Sequence, residues 1–212
     1  MLANHRLVRR VFLFMLAVLA SWIALSTVGA FRNSKASASD PELADGLAAW
    51  EQVYSVLTSP RCINCHTATN YPQQGDDRHR HFANVIRGPE GKGVPALNCV
   101  SCHQSENANS TGVPGGPNWH LAPLSMRWQD INDQILSSAL VCSAVTDRSK
   151  NNGLDGSGLL KHHEAEPLVI LAWNPGTRPD GTMRALPPLT HAEFVAATRR
   201  WVEAGTPCPR SK

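Results

Sequence analysis

Two five-residue stretches, Cys62-Ile-Asn-Cys65-His66 and Cys99-Val-Ser-Cys102-His103, constrain this chain more than anything else in it. Each sets two thiols three residues apart with an imidazole directly after the second, the pattern that attaches a c-type haem. The spacing has a chemical reason. Two thiols at that interval reach the two vinyl positions on one edge of the macrocycle, and the next side chain falls beneath the iron as its proximal ligand. Paired C-x-x-C segments also bind zinc, but zinc does not call for a His after each second Cys. A thioredoxin-like redox pair needs a βαβ setting that is missing here. The cofactor expected is therefore haem c, two per chain, attached through Cys62, Cys65 and His66 and through Cys99, Cys102 and His103.

Only 37 residues separate Cys62 from Cys99. A single-haem cytochrome domain needs more chain than that to wrap its haem and deliver a distal ligand. The two motifs are thus expected to share one domain. Glycine and proline are abundant, at 15 each in 212 residues, so haem would supply apolar mass that such a loop-rich chain lacks. The expected fold is mainly α, a loop-rich compact dihaem cytochrome c domain over residues 40–212. Asp40-Pro41-Glu42 reads as an N-cap, a first-turn proline and an acidic residue suited to a helix start. Leu43, Leu47, Trp50, Tyr54 and Leu57 follow at helical spacing, and Ser59-Pro60 ends that helix. Residues 60–123 are rich in turn signals. A second helix is predicted from Ser125 to about Val145, burying Trp128, Ile131, Ile135 and Leu136, and a third from about Leu159 to Leu171. A fourth starts at Thr190, where Thr190-x-x-Glu193 makes a capping box, and stops at Gly205. No convincing strand is found.

Residues 1–39 read as a targeting segment. Arg6, Arg9 and Arg10 precede an uncharged apolar stretch, 11–30, followed by a polar linker that holds the cleavage-like Ala36-Ser-Ala38. Twenty apolar residues also suffice to span a bilayer, so a cleaved signal peptide and a retained inner-membrane anchor helix both stay open. Either places the remainder outside the cytoplasm, in the periplasm. Five of the 20 basic residues lie before Asp40, the first acidic one, leaving fifteen against 17 acidic. The net charge of +3 therefore belongs to the targeting segment, and a nucleic-acid surface is not indicated.

Each haem iron, a metal centre held by His66 or His103, takes or lacks a second axial ligand. His81, His120 and Met126 are the leading candidates. His81 ends the charged segment Asp76-Asp-Arg-His79-Arg-His81, where a solvated face is the plain alternative for both histidines. His120 sits in Pro117-Asn-Trp-His-Leu-Ala-Pro123, a turn held between prolines. Met126 begins the predicted second helix, and otherwise fills a gap. His162, on the third helix, ranks lower, while His163, His191 and Met183 are expected at the surface. Cys142 and Cys208 remain, and after export an even pair is expected to form a disulfide. Asp147-x-Ser149-x-Asn151-Asn152 starts like a calcium loop but has Asn152 in place of the sixth-position Gly and Gly158 in place of the final Glu, so a calcium site is rejected.

With these residues in view, the chain resembles a group of small dihaem c-type cytochromes described as cytochrome subunits accompanying isoquinoline 1-oxidoreductase-type molybdenum hydroxylases. The resemblance is carried by Cys62-Ile-Asn-Cys-His-Thr-Ala, Gln74-Gly-Asp-Asp, His81, Asn84-Val-Ile-Arg-Gly-Pro89 and Cys99-Val-Ser-Cys-His-Gln104. It continues through Pro117–Pro123, Met126, Leu171-Ala-Trp-Asn-Pro-Gly176 and the stretch Phe194–Pro207. It implies electron transfer in the periplasm from a partner dehydrogenase of molybdenum hydroxylase type to the respiratory chain, so the implied partners are redox proteins. No catalytic residues are expected, since no acid–base cluster stands out. The alternative is a small dihaem enzyme, oxidase- or peroxidase-like, with one open haem iron; a haem-based sensor ranks below both.

Overall fold

The computed structural model describes residues 41–211, and the apolar stretch 11–30 and the Asp40 N-cap lie outside them. The chain divides after Asp40. Among the described residues no helix is long and apolar enough to cross a membrane.

The unit from Pro41 onward is mainly helical with long loops. Helix α1 (Pro41–Leu57) buries Gly46, Ala49, Trp50, Val53, Val56 and Leu57, three or four residues apart and so along one stripe. A short turn of helix, α2 (Pro60–Ile63), follows at once. The next long helices come only after the haem-motif region: α3 (Ser138–Thr146) and α4 (Gly156–Ala165), then the short α5 (Pro167–Ile170) and the C-terminal α6 (His191–Glu203). Between Asn64 and Ser137 the only regular pairs are two tiny antiparallel hairpins. In one, β1 (Gln73–Gln74) pairs with β2 (His79–Arg80); in the other, β3 (Gly93–Val94) pairs with β4 (Leu97–Asn98).

Helix α6 starts as its sequence predicts. The Glu193 amide donates to Thr190 Oγ1 at 3.2 Å and the Thr190 amide to Glu193 Oε2 at 2.8 Å. It buries Phe194, Ala197, Thr198 and Trp201, and packs along α1. The Trp50 and Trp201 rings lie 4.8 Å apart at 42°, and both indoles are satisfied, Trp50 Nε1 by Ser138 Oγ at 2.8 Å and Trp201 Nε1 by the Pro207 carbonyl at 2.9 Å. Val141, Cys142, Val145 and Leu159 complete the core. The expected disulfide is present: Cys142 and Cys208, 66 residues apart, are bonded with Cα atoms at 5.6 Å. It fastens the C-terminal strap onto α3.

Three expectations need correction. The second helix forms only in its last part. Leu124–Met126 is a single 3₁₀ turn, and Arg127 is already extended. The Asp130 carboxylate then accepts the amides of Asn132 and Gln134 at 2.8 and 3.0 Å, and Asp133 adopts φ +60°. Short polar side chains thus compete with the helical backbone for its own donors, and Ile131 ends up 82 % exposed while Trp128 is buried. Helix resumes where Ser137 caps it. The third helix starts earlier than expected, at Gly156 under an Asp155 cap, and breaks at Glu166, which is extended because Pro167 follows. His163, expected at the surface, is buried between α4 and α6, with Nδ1 2.9 Å from Thr198 Oγ1.

The closest approach of α1 to the C-terminal strap occurs at Gly46. A Cβ there would lie 2.5 Å from Ala204 Cβ and 2.8 Å from Pro207 Cγ. Gly46→Val should therefore lower stability by about 1–3 kcal/mol through overpacking, read as a shifted midpoint in urea unfolding. An unchanged midpoint would show that the strap gives way freely.

Candidate functional site

The two motifs are built alike from unrelated surroundings. In the first, α2 leads into a tight turn in which the amides of Cys65 and His66 both donate to the Cys62 carbonyl at 3.1 Å. In the second, Asn98 caps a 3₁₀ turn at Cys99–Ser101, and the amides of Cys102 and His103 donate to the Cys99 carbonyl at 3.2 and 2.9 Å. Each turn gathers its two thiols and the imidazole within one loop of backbone. The four thiols are unbonded to one another. Burial pushes the Cys62 thiol up to about 12, and burial together with the nearby Cys99 pushes Cys65 up to about 11. The two attachment segments, 37 residues apart in sequence, are thus neighbours in space.

Each motif histidine is clamped in the same way. His66 stacks on Trp128, ring centres 4.4 Å apart and planes within 8°, and its Nδ1 lies 2.5 Å from the Met126 carbonyl. His103 stacks on Trp119 at 4.0 Å and 8°, with Nδ1 2.7 Å from the Pro114 carbonyl. A carbonyl can only accept, so both Nδ1 atoms carry the proton and both Nε2 atoms keep a free lone pair. Burial holds His66 down at about 4 and His103 below its ordinary value, so each is neutral at physiological pH. A metal-binding histidine is prepared in this way, with the far nitrogen donating to a fixed acceptor.

His81 and His120 share that preparation. Nδ1 of His81 is 2.6 Å from the Phe82 carbonyl, and Nδ1 of His120 is 2.6 Å from the Asn118 carbonyl. His81 lies beside the second motif, its ring centre 6.0 Å from that of His103. Beside burial, electrostatic repulsion from His162 and His120 helps hold His66 down, so both lie near the first motif. His79 is committed elsewhere, with Nδ1 2.6 Å from Asp77 and Nε2 3.1 Å from Gln74. Met126 gives its carbonyl to His66 Nδ1, on the face turned away from Nε2, and its side chain packs on the apolar core. Met183 is 67 % exposed, and His191 is half-buried with Nε2 2.9 Å from the His163 carbonyl. The calcium-like loop is an ordinary turn in which Asn151 donates to the carbonyls of Val145 and Leu154.

No family model, curated protein or solved structure matches this chain. The resemblance to dihaem cytochromes therefore rests on its residues, and the reading of the site on its geometry.

Several contributors carry no local signal in the sequence. Arg87 is buried without a carboxylate and donates to three carbonyls: Thr69 at 3.2 Å, Ala122 at 2.5 Å and Thr67 at 2.9 Å. It stitches the segment after the first motif to the one after the second. Gly91 makes the same junction from the backbone. At φ +72° it brings its carbonyl within 2.9 Å of the Leu121 amide, where a Cβ would strike Leu121 O at 2.5 Å. Arg61, Arg178 and Arg184 form a further group. Arg61 meets Asp76 at 2.6 Å, Arg178 binds the other oxygen of Asp76, and Arg184 is close enough to feel both arginines. Two guanidiniums so share one carboxylate, while Arg184 donates to the Pro175, Thr177 and Gly112 carbonyls. Arg61 Nε and Trp128 Nε1 are buried donors with no acceptor.

The residues fit a haem on each motif. Free thiols, imidazoles with open Nε2 atoms, and surplus buried donors match a group that brings vinyl carbons, an iron and acidic propionates with acceptor oxygens only. Among the described residues no three or more His, Cys, Asp or Glu converge as ligands for a bare ion, whereas a structural zinc site gathers four.

Arg87→Met should lower stability by about 2–3 kcal/mol, since it removes charged donors from three carbonyls, one buried and two half-buried. Arg87→Lys should recover little, because one ammonium cannot reach all three. Chemical unfolding of both variants checks this, and a methionine variant as stable as the wild type would contradict it.

Proposed function

We propose that this chain is a dihaem c-type cytochrome that relays electrons outside the cytoplasm. The observation that carries the reading is the duplicated clamp. Two C-x-x-C-H turns each present a neutral imidazole, locked by an indole stack and a carbonyl, with Nε2 left open. When bound, the haems supply one-electron chemistry, iron passing between its ferric and ferrous states. The chain's own contribution is orientation. The carbonyls of Met126 and Pro114 fix the tautomer and raise the donor strength of His66 and His103. Trp128 and Trp119 stop the rings from turning. The closeness of Cys65 to Cys99 supports one continuous electron path, because both attachment edges then face a common junction.

For the first iron, the distal ligand comes from His120 or His162, both near His66. His120 is the better prepared, since its Nδ1 is already engaged. A further imidazole near each motif histidine favours closed, six-coordinate irons and so a relay over an enzyme with an open iron. The surplus of Arg61 and Arg178 over Asp76, with Arg61 Nε left without an acceptor, supports seating of propionates. The resemblance to cytochrome subunits of molybdenum hydroxylases supports a dehydrogenase as donor and the respiratory chain as acceptor, with an N-terminal signal or anchor delivering the domain to the periplasm.

Export of the full chain from cells equipped for c-type maturation should yield two haems per polypeptide by pyridine haemochrome absorbance, and one after Cys62→Ser/Cys65→Ser. The reduced protein should bind carbon monoxide poorly. A chain without covalent haem refutes the proposal, and rapid carbon monoxide binding with peroxide turnover would make it an enzyme instead.

A further inference from the structure

The geometry points to His81 as the second axial ligand of the haem iron on His103, although His81 follows the first motif in the chain. This rests on the dihaem reading above and goes beyond it by naming which histidine closes which iron. An imidazole nitrogen binds a metal at about 2.0–2.1 Å, and the ring centre lies roughly 1 Å further on. Two imidazoles on opposite sides of one iron therefore have centres a little over 6 Å apart, roughly twice the sum of those lengths. The His81 and His103 rings are 6.0 Å apart at 67°.

Two histidines at that separation could form an ordinary edge-to-face aromatic pair. The hydrogen bonds argue against it. His81 Nδ1 faces the Phe82 carbonyl and His103 Nδ1 the Pro114 carbonyl, so each ring spends its proton on a backbone acceptor and keeps a lone pair at Nε2. Two acceptors have nothing to offer each other. An electron-pair acceptor between them resolves both.

The backbone is arranged to make this crossing. The hairpin β1–β2 carries the chain away from His66 and ends at Arg80, and the His81 amide donates to the Pro72 carbonyl at 3.0 Å. Ala83 and Asn84 then take φ +62° and +52°, a left-handed pair that is unfavourable for non-glycine residues. Such a turn persists where its surroundings enforce it, and here it begins two residues after His81, whose Nδ1 is held by the intervening Phe82 carbonyl. Arg87 then ties the segment down beneath the Thr67, Thr69 and Ala122 carbonyls. His81 is therefore delivered by a braced loop.

The test uses the exported holoprotein and two backgrounds that each keep one haem. In Cys62→Ser/Cys65→Ser, where only the second haem attaches, His81→Ala should convert a low-spin haem to a high-spin one by electron paramagnetic resonance and open it to carbon monoxide. In Cys99→Ser/Cys102→Ser, where only the first attaches, His81→Ala should change neither signal. Should a background fail to fold, His81→Met in the intact protein gives the second measurement. One of two haems should gain the red absorption band of sulfur ligation and a higher reduction potential, the other remaining as it was. Two covalent haems that stay low-spin in His81→Ala overturn the pairing and leave the relay standing, as does a change confined to the first haem. A protein with no covalent haem overturns both.

Discussion

The site depends on how His66 and His103 are held. An imidazole on a tight turn can rotate about two bonds and protonate at either nitrogen, and a wrong rotamer or a wrong tautomer would spoil it as a ligand. A carbonyl at 2.5–2.7 Å from Nδ1 settles the proton, and a parallel indole settles the ring. The two holders come from sequence positions with nothing in common. For His66 they are Met126 and Trp128, some sixty residues away; for His103 they are Pro114 and Trp119, within the same loop. That one geometry is reached by two routes argues that the geometry is what matters.

The first clamp also joins the loops to the helical core. The Trp128 amide donates to the His66 carbonyl and its carbonyl accepts from Leu136, while its indole is buried in the core cluster. Tyr54 on α1 donates to the Leu136 carbonyl at 2.7 Å. From α1 to His66 there is thus an unbroken chain of packed or hydrogen-bonded groups. The second clamp is joined less directly: the Gly115 amide donates to Asn107 Oδ1 and Asn107 Nδ2 to the Asn174 carbonyl, both at 2.9 Å, and the adjacent Trp173 packs on the core. One motif is thus tied to α1 itself and the other to the segment that follows α5.

How much of this was legible from the residues depends on range. The capping box at Thr190, the stripe of α1, the disulfide and the two motifs are local or compositional signals, and the structure carries all of them. The helix expected from Ser125 was misread because Trp128, Ile131 and Ile135 recur at helical spacing. The Asp130 side chain decides the matter by taking the amides that a helix would need. His163 was misjudged for the opposite reason: next to His162 and Glu164 it looks polar, but its partner Thr198 lies on another helix. The clamps, Arg87 and the arginine group around Asp76 join positions from 11 to 102 residues apart, and no short pattern encodes them.

The pairing of α1 with α6 has a consequence for the order of assembly. The helix that stacks Trp201 on Trp50 follows every other described helix, and the cysteine that closes the disulfide lies beyond it. Both haem motifs emerge long before either. Until residue 191 has followed, α1 can gather α3 and Trp128 but lacks the helix that brings Phe194 and Trp201 to its stripe. Both C-x-x-C-H turns are therefore synthesised well before the frame that supports them can close.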